Sequence, residues 1–270
     1  MIDSPRLSLG RRLLDAQIPF FREHFGQVDS QWKADRSRVT EVDLKISREI
    51  LSALALDFPQ DLALSEEAPL PDPACFSEHE YCWVLDPVDG TNNYACGLSS
   101  CAISLGLLRH GEPVYGWIYD YGLDAVFHGG PGLGMFCGAS RVQPMQRDVA
   151  PEQRLLAVHF PLPEEVHLRM LSVLSVLSVL SAYKIRSLGS AALNLLYVAL
   201  GRMDAVMEHG IKVWDIAAAA ALLKACGLEM HGKGADVFPL RADSRVDAPF
   251  GYVAGNAELV SLLLAAEAGE

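Results

Sequence analysis

The densest chemical signal in the sequence is the segment WVLDPVDGTNNY at 83–94, which holds two aspartates three residues apart. A proline separates Asp86 from Asp89 and Gly-Thr follows, so a turn here lets both carboxylates and the Val88 carbonyl converge on one point. Hard divalent cations prefer such all-oxygen surroundings. The amides of the Gly-Thr pair can also face a phosphate if a helix begins there. Taken alone, the segment also fits an ordinary turn, since Asp, Pro and Gly are common turn formers.

Two further acidic sites favour the metal interpretation. Ser65-Glu66-Glu67 places paired acids at the end of an apolar stretch. Asp215 follows Trp214 at the predicted start of a helix, where an aspartate is favoured both as a cap and by the helix dipole. Capping by itself therefore remains an alternative explanation for Asp215.

The net charge of the chain makes some classes of binding partner less favourable than others. The chain has 34 acidic and 22 basic side chains, for a formal net charge of -12. A large basic surface for nucleic acid is therefore not expected. An acidic protein that acts on an anionic phosphate needs bound divalent cations to reverse the local charge, which agrees with the clustered carboxylates.

The cysteines and the apolar segments indicate the compartment. The six cysteines form no CxxC pair and no zinc-ligand spacing with histidine, so reduced thiols are expected rather than a zinc site or a disulfide framework. No segment reaches 18 uncharged apolar residues, and the N-terminal stretch has no sustained apolar run. We predict a cytoplasmic protein that does not enter the membrane.

The first half of the chain predicts helices followed by an antiparallel sheet. Apolar spacings of three, four and seven predict an amphipathic helix over 6–25, and a second helix is predicted over 42–56. The run 81–85 reads as a buried strand that leads directly into the two-aspartate turn. Short apolar segments separated by glycine between 101 and 136 predict antiparallel strands joined by tight turns.

The second half alternates strands with helices. A polar stretch at 140–152 marks the predicted boundary between an N-terminal α+β domain, residues 1–142, and a C-terminal α/β domain, residues 143–270. Alternation of the two element types is typical of a layered α/β arrangement. The predicted strands are 155–160 and 203–208, and the predicted helices are 167–183, 191–200 and 214–226.

Five segments together resemble the inositol monophosphatase family, within the lithium-sensitive, magnesium-dependent phosphatase superfamily. They are VTEVDLKIS at 39–47, SEE at 65–67, WVLDPVDGTNNY at 83–94, RSLGSAALN at 186–194 and MEHGIKVWDIAA at 207–218. The resemblance implies an α/β fold, a layered αβαβα sandwich of the inositol monophosphatase and fructose-1,6-bisphosphatase type. It also implies a metal site at the junction of the two domains and a homodimer.

The resemblance implies two or three Mg²⁺ ions. Glu66, Asp86 and the Val88 carbonyl would bind one ion, and Asp86, Asp89 and Asp215 would bind a second. Asp86 would bridge the two ions, and a third, weaker ion would depend on Glu66 and water. Two ions a few ångströms apart can stabilise the attacking and leaving oxygens of an in-line displacement.

The implied reaction is attack on phosphorus by a metal-activated water. Thr91 and Asp43 would form a hydrogen-bonded pair that orients and helps to deprotonate this water, and Glu66 joins them as a catalytic residue. No covalent phosphoenzyme is required. Without the resemblance, Asp43 reads as a surface helix acid and Thr91 as a helix cap.

Substrate contacts are also implied by the resemblance. Backbone amides of the Gly189-Ser190-Ala191 segment would bind the substrate, although Ser190 is also explained as an ordinary N-cap. Glu208 would accept hydrogen bonds from ring hydroxyls, and Lys33 would lie near the third metal and the phosphate. The remaining implied contacts are Asp89, Gly90 and Thr91.

These residues predict a magnesium-dependent phosphomonoesterase that hydrolyses a small polyol phosphate, with inositol 1-phosphate as the first candidate. The metal residues do not distinguish it from relatives that act on fructose 1,6-bisphosphate, histidinol phosphate or adenosine 3',5'-bisphosphate. A catalytically quiet binding protein on the same fold is a further alternative. Ser65 replaces a glycine that is usual in the family, and small residues over 95–108 leave the shape of the substrate pocket open.

Overall fold

The computed structural model describes residues 4–33, 38–146, 150, 153–159, 184–232 and 236–268. The helices in this part of the chain are α1 (Ser4–Glu23), α2 (Glu41–Asp57), α3 (Cys75–Glu78), α4 (Thr91–Ala95), α5 (Ala191–Ala199), α6 (Val213–Ala225) and α7 (Ala257–Ala268). The strands are β1 (Ser30–Trp32), β2 (Arg38–Thr40), β3 (Leu62–Ser65), β4 (Tyr81–Asp89), β5 (Ala102–Arg109), β6 (Glu112–Asp120), β7 (Ala125–Gly130), β8 (Gly134–Cys137), β9 (Ser140–Val142), β10 (Leu155–Val158), β11 (Lys184–Arg186), β12 (Ala205–Ile211), β13 (Met230–Gly232) and β14 (Phe250–Gly255).

The larger sheet has seven strands in the order β3-β4-β5-β6-β7-β8-β9. Its neighbours are antiparallel except for β3 and β4, which run parallel. Helices α1 and α2 pack on one face and α6 packs on the other, so the central strands are apolar on both faces. The predicted antiparallel strands between residues 101 and 136 are confirmed as β5 to β8.

The smaller sheet has five strands in the order β11-β10-β12-β14-β13. Helices α5 and α6 pack against each other in one layer between the two sheets, and α7 packs on the smaller sheet. The layers therefore follow the predicted αβαβα order. Small residues permit close packing of the middle layer, since a Cβ on Gly116 would lie 2.2 Å from the Ala218 carbonyl oxygen. No described helix is both long enough and apolar enough to cross a bilayer.

The predicted helices in the described part of the chain match the observed ones to within about two residues, but two strands differ from their predicted bounds. The strand predicted over 203–208 is Ala205–Ile211. The helices predicted over 6–25 and 42–56 correspond to α1 and α2. The strand predicted to end at Leu85 instead runs on to Asp89, with a break in pairing register between Asp86 and Asp89. This irregularity accommodates Pro87, which cannot donate a backbone hydrogen bond to a regular ladder.

The predicted domain division remains a prediction. The larger sheet is complete at Val142, and the described strands of the smaller sheet begin at Leu155. The helix predicted over 167–183 lies outside the described residues.

Candidate metal centre

The register break in β4 presents Asp86 and Asp89 at the carboxyl end of the strand. The Val88 amide donates a hydrogen bond to Asp86 Oδ1 at 3.1 Å and fixes that carboxylate. Gly90 follows with φ +84°, and a Cβ there would lie 2.9 Å from the Ser100 carbonyl oxygen. Glycine is therefore required both by the left-handed backbone and by the space available.

Glu66 is brought beside Asp86 by the parallel pairing of β3 with β4. The Glu66 amide donates to the Leu85 carbonyl oxygen at 3.2 Å, next to Asp86 in the chain. The preceding Ser65 is fully buried, and its hydroxyl lies 2.8 Å from the hydroxyl of Ser47 on α2. Ser65, which replaces the usual glycine, thus links the turn that carries Glu66 to helix α2 by a hydrogen bond.

Asp215 completes a cluster of three carboxylates. It is the third residue of α6, and its Oδ2 accepts a hydrogen bond from the Lys212 amide at 2.7 Å, so it caps the helix. Glu66, Asp86 and Asp215 each offer one oxygen, and these oxygens lie within 4.8 Å of one another. The capping and metal interpretations of Asp215 are therefore compatible.

Asp89 lies outside this three-residue cluster and is held by the start of α5. Its Oδ2 accepts hydrogen bonds from the Ser190 hydroxyl and, at 2.9 Å, from the Ala192 amide, and its Oδ1 accepts from the Ala191 amide at 3.3 Å. Ser190 also caps α5 by accepting from the Leu193 amide at 3.3 Å. The Ala191 amide, which is predicted to bind substrate, thus donates its hydrogen bond to Asp89 in this structure.

Burial and mutual repulsion raise the pKa values of the clustered aspartates. The pKa of Asp86 and that of Asp215 lie well above the usual range, first because both are buried and then because of the neighbouring carboxylates. Burial raises the pKa of Asp89 to about 6, against the lowering effect of its three hydrogen bonds. A divalent cation among these oxygens would offset the repulsion, and all-oxygen ligands suit Mg²⁺. The residues therefore fit the metal that the sequence predicts.

Asp43 and Thr91 form the predicted hydrogen-bonded pair at the edge of the cluster. The Thr91 hydroxyl lies 3.2 Å from Asp43 Oδ1 and 2.9 Å from the Val88 carbonyl oxygen, and it can donate to either. Asp43 Oδ2 accepts from the amide and the hydroxyl of Thr40, which makes a capping box at the start of α2. Burial raises the pKa of Asp43 to about 7, partly offset by Thr40. Asp43 is buried, so its interpretation as a surface helix acid is wrong.

Lys33 lies against the glutamate pair. Its Nζ donates to Glu66 Oε1 at 2.8 Å and to Glu67 Oε1. Burial alone lowers the pKa of Lys33, but the two carboxylates more than compensate and raise it. Sequence analysis assigned no role to Glu67; its position directly after Glu66 was the available signal.

Glu208, predicted to accept hydrogen bonds from substrate hydroxyls, lies in the interior. Its side chain is fully buried, Oε1 accepts from Asn194 Nδ2 at 2.8 Å, and Oε2 accepts from the Tyr252 hydroxyl. Its charge contributes to the raised pKa of Asp215, so Glu208 lies near the carboxylate cluster, and its contact with substrate stays a prediction. Burial raises its pKa to about 7, against the lowering effect of these two hydrogen bonds.

Asn93 is a positioning residue that the sequence analysis missed. Its Nδ2 donates to the carbonyl oxygens of Ser100, at 2.7 Å, and Leu188, at 2.6 Å. These bonds join the two-aspartate turn to the segment that enters α5. A Cβ on Gly189, which has φ +74°, would lie 3.0 Å from Asn93 Nδ2.

Asn93→Ala is expected to destabilise the protein by about 2 kcal/mol, because two backbone carbonyls lose their donor. Urea unfolding monitored by circular dichroism measures this change. Asn92→Ala is the matched control, since Asn92 is the exposed neighbour in the same short helix. Equal stabilities of the two variants would contradict the role given to Asn93.

Comparison with known proteins places the chain in one family. A model described as the inositol monophosphatase family matches residues 13–265. The chain is 31% identical to inositol monophosphatase 2 of Rattus norvegicus over 190 residues, 70% of this chain and 66% of that protein. It is 31% identical to the Nus factor SuhB of Xylella fastidiosa over 244 residues, 89% of this chain and 86% of that protein. It is 30% identical to a fructose-1,6-bisphosphatase/inositol-1-monophosphatase of Aquifex aeolicus over 252 residues, 90% and 88% of the two chains.

Solved structures show the same fold. An IMPase of Thermotoga maritima superposes with a TM-score of 0.80 at 24% identity, covering 98% of this chain and 97% of that one. An IMPase/NADP phosphatase complexed with Mg²⁺ and phosphate superposes with a TM-score of 0.76 at 22% identity, covering 97% and 93%. The predicted layered sandwich is confirmed by these likenesses.

The family match covers most of the chain and includes every segment that carried the resemblance. Members of the family are phosphoric monoester hydrolases that depend on magnesium, which fits the cluster of Glu66, Asp86 and Asp215. This chain belongs to the inositol monophosphatase family.

Proposed function

We propose that this protein is a magnesium-dependent phosphomonoesterase of a small polyol phosphate, with inositol 1-phosphate as the first candidate substrate. The observation that carries the proposal is the meeting of Glu66, Asp86 and Asp215 within 4.8 Å. These acids come from three distant segments, and repulsion between them makes the cluster costly for a protein that has no use for a cation. The sequence similarity to phosphatases supports the same conclusion.

In the proposed mechanism, the carboxylates hold magnesium. Glu66, Asp86 and the Val88 carbonyl would serve one ion, and Asp86, Asp89 and Asp215 a second. Bound magnesium would supply positive charge that polarises the phosphate and lowers the pKa of an attacking water.

The proton of the attacking water would leave through Thr91 and Asp43. The Thr91 oxygen can accept this proton while its own hydroxyl proton passes to Asp43 Oδ1, 3.2 Å away. Burial of Asp43 raises its pKa to about 7, which suits a general base at neutral pH. Lys33 would add positive charge near the phosphate.

Substrate identity is the open part of the proposal. The names of the relatives include an inositol monophosphatase, a fructose-1,6-bisphosphatase/inositol-1-monophosphatase and a Nus factor. Fructose 1,6-bisphosphate is therefore retained as an alternative substrate. Histidinol phosphate, adenosine 3',5'-bisphosphate and a binding protein without activity also remain, because the metal residues do not distinguish among them. Backbone contacts from Gly90, Thr91 and the segment at 189–191 remain proposed substrate contacts.

Several finer properties are proposed with the activity. The enzyme is proposed to bind two or three magnesium ions, to be inhibited by lithium, to form a homodimer and to work in the cytoplasm. The boundary between the two domains, placed between residues 142 and 143, is likewise a proposal. These properties follow from the resemblance to the family and from the sequence composition.

The test is phosphate release from a panel of substrates in the presence and absence of magnesium. Inositol 1-phosphate is expected to be hydrolysed fastest among inositol 1-phosphate, fructose 1,6-bisphosphate, histidinol phosphate and adenosine 3',5'-bisphosphate. Removal of magnesium with a chelator should abolish release, and added magnesium should restore it. Lack of release from all four substrates with magnesium would favour the binding-protein alternative.

A further inference from the structure

A histidine with an unpaired ring nitrogen lies beside Glu208. His159 directly follows β10, and its Nδ1 is buried without a hydrogen-bond partner among the described residues. Buried polar atoms in folded proteins are nearly always paired, so an unpaired one requires an explanation. Neither the sequence analysis nor the proposed reaction gives His159 a role.

The pairing of β10 with β12 places His159 next to Glu208. The two strands run parallel with Val158 beside Met207, so the residues that follow, His159 and Glu208, are neighbours across the sheet. Adjacent strands lie about 4.8 Å apart, which brings the two side chains within reach of one small ligand.

The two side chains also share one face of the smaller sheet. Side chains two residues apart along a strand point to the same face. Ala157 and Val206 lie two residues before His159 and Glu208, and both belong to the apolar cluster that includes α5. The imidazole and the carboxylate therefore lie on the face that Asn194 of α5 contacts.

A second unpaired polar atom lies in the same place. Asn194 Nδ2 donates to Glu208 Oε1 at 2.8 Å, which fixes the orientation of the amide, and Asn194 Oδ1 is buried without a partner among the described residues. Each oxygen of Glu208 accepts one hydrogen bond from the protein and keeps a second acceptor site. Glu208, Asn194 and His159 thus form a polar subsite with unused hydrogen-bonding capacity.

The subsite is close enough to the metal centre for one small substrate to reach both. Burial is the main cause of the raised pKa of Glu208, and the charge of Asp89 adds to it, so these two carboxylates are close in space. A phosphomonoester with its phosphate at the proposed magnesium ions can therefore place the rest of the molecule at Glu208 and His159.

The chemistry of the subsite suits hydroxyl groups better than a second phosphate. Burial lowers the pKa of His159, which favours the neutral imidazole. An anionic group would be repelled by the Glu208 carboxylate and would gain no ion pair with a neutral ring. Two neighbouring hydroxyls can instead donate to Glu208 and share a hydrogen bond with His159 Nδ1, which accepts or donates according to its tautomer.

We propose that His159 is a specificity-determining residue whose Nδ1 hydrogen-bonds a substrate hydroxyl next to the hydroxyl that Glu208 is predicted to bind. This inference rests on the proposed phosphatase function. It predicts a preference for phosphomonoesters that carry two neighbouring hydroxyl groups. Esters without hydroxyl groups do not depend on His159.

The experiment measures kcat/KM of the wild type and His159→Phe on inositol 1-phosphate and on phenyl phosphate, which has no hydroxyl group. Phenylalanine keeps a flat ring and removes the nitrogen. We expect about a tenfold loss on inositol 1-phosphate, the effect of one hydrogen bond, and no change on phenyl phosphate. His159→Asn should recover most of the lost rate, because an atom of its amide can replace Nδ1 in the hydrogen bond.

Three outcomes of these assays would overturn the proposal. Equal losses on the two esters would show a merely structural role. Wild-type rates of His159→Phe on both esters would show that Nδ1 meets only water. A larger loss on fructose 1,6-bisphosphate than on inositol 1-phosphate would show that the imidazole meets a phosphate rather than a hydroxyl.

A second histidine provides the matched control for stability. His128 Nδ1 lies 2.8 Å from the Tyr115 hydroxyl, and His128 Nε2 lies 2.8 Å from the Gly138 carbonyl oxygen, so both of its nitrogens are paired. His128→Phe should lower Tm and leave kcat/KM unchanged on both esters. His159→Phe removes an unpaired atom and should lower Tm less. A loss of Tm as large as that of His128→Phe would count against the proposal.

Binding measurements separate this inference from the proposed function. The Asp43→Asn protein lacks the proposed proton acceptor, so calorimetry with inositol 1-phosphate and magnesium can be carried out with slow turnover. Addition of His159→Phe should weaken binding by about tenfold. Equal affinities would overturn the proposal. A wild type that binds inositol 1-phosphate without hydrolysing it would reject only the phosphatase function, whereas a wild type that neither binds nor hydrolyses it would reject both.

Discussion

Asp86→Asn is expected to lower kcat/KM of the proposed phosphatase by about a thousandfold while the protein stays folded. Asp86 is the carboxylate shared by both proposed magnesium sites, and asparagine removes a charge that no neighbour replaces. The variant should fold because asparagine has nearly the same shape as aspartate. Its side-chain oxygen can still accept the hydrogen bond from the Val88 amide, which is 3.1 Å in the wild type.

The same variant is expected to change stability in opposite directions with and without magnesium. Burial and the charges of Glu66, Asp89 and Asp215 raise the pKa of Asp86, so the ionised form is disfavoured in the folded protein. A raised carboxylate pKa costs stability progressively as pH rises above the unfolded value, and asparagine removes this cost. Without magnesium at pH 8, Asp86→Asn should therefore be at least as stable as the wild type. With magnesium, only the wild type should gain a large increase in Tm.

Asp120→Asn is the matched control for a buried aspartate outside the cluster. Asp120 is fully buried and accepts hydrogen bonds from the Tyr197 hydroxyl and the Leu123 amide. Its replacement should retain the magnesium response and activity within a few-fold of the wild type. Thermal unfolding with and without magnesium, followed by phosphate-release kinetics, makes the comparison. Retention of most of the rate by Asp86→Asn would refute the bridging role.

The acidic residues of the metal centre could be predicted because the segments around them have recognisable sequence patterns. Asp86 and Asp89 stand in a turn-forming segment, and Asp215 stands where a helix begins. The structure unites Asp86 and Asp215 with Glu66 in one cluster. Helix α2 was predictable in the same way, because its apolar positions have helical periodicity and Phe58-Pro59 follows its end.

The hydrogen-bond partners of these acids could not be predicted, because they depend on packing between distant segments. Asp89 meets donors 101 to 103 residues away in the chain, and no local pattern indicates which amides face it. Glu208 lies on β12, whose residues are buried on both faces of the sheet. The sequence therefore shows no alternation of polar and apolar residues that could have indicated the burial of Glu208 or its contact with Tyr252. Asp43 is an instructive case, since Thr40-x-x-Asp43 has the spacing of a capping box and could have indicated that its side chain turns back on the helix.

Asp43→Asn is expected to lower kcat by about a hundredfold or more, since Asp43 is the proposed proton acceptor. Asparagine can still accept the hydrogen bonds from Thr40 at the start of α2, so the helix cap is retained. Thr91→Val should reduce kcat in the same direction because the relay through the hydroxyl is lost. The double variant should be little worse than the more damaging single variant, as expected for residues that act as a unit.

The pH profile distinguishes this role from a structural one. Burial raises the pKa of Asp43 to about 7, and a general base must be ionised to accept a proton. At saturating magnesium, kcat should therefore fall by about tenfold for each pH unit below the pKa of Asp43 and level off above it. In Asp43→Asn this acidic limb should disappear, and the residual rate should be nearly independent of pH.

Glu41→Gln is the control for this profile, because Glu41 is an exposed acid in the same first helical turn as Asp43. Its replacement should leave both the rate and the acidic limb unchanged. Stopped assays of inositol 1-phosphate hydrolysis from pH 5 to 9, with the magnesium response of each variant checked by thermal unfolding, provide the data. An acidic limb that persists in Asp43→Asn would show that the titrating group lies elsewhere, and the metal-binding carboxylates would then account for the pH dependence.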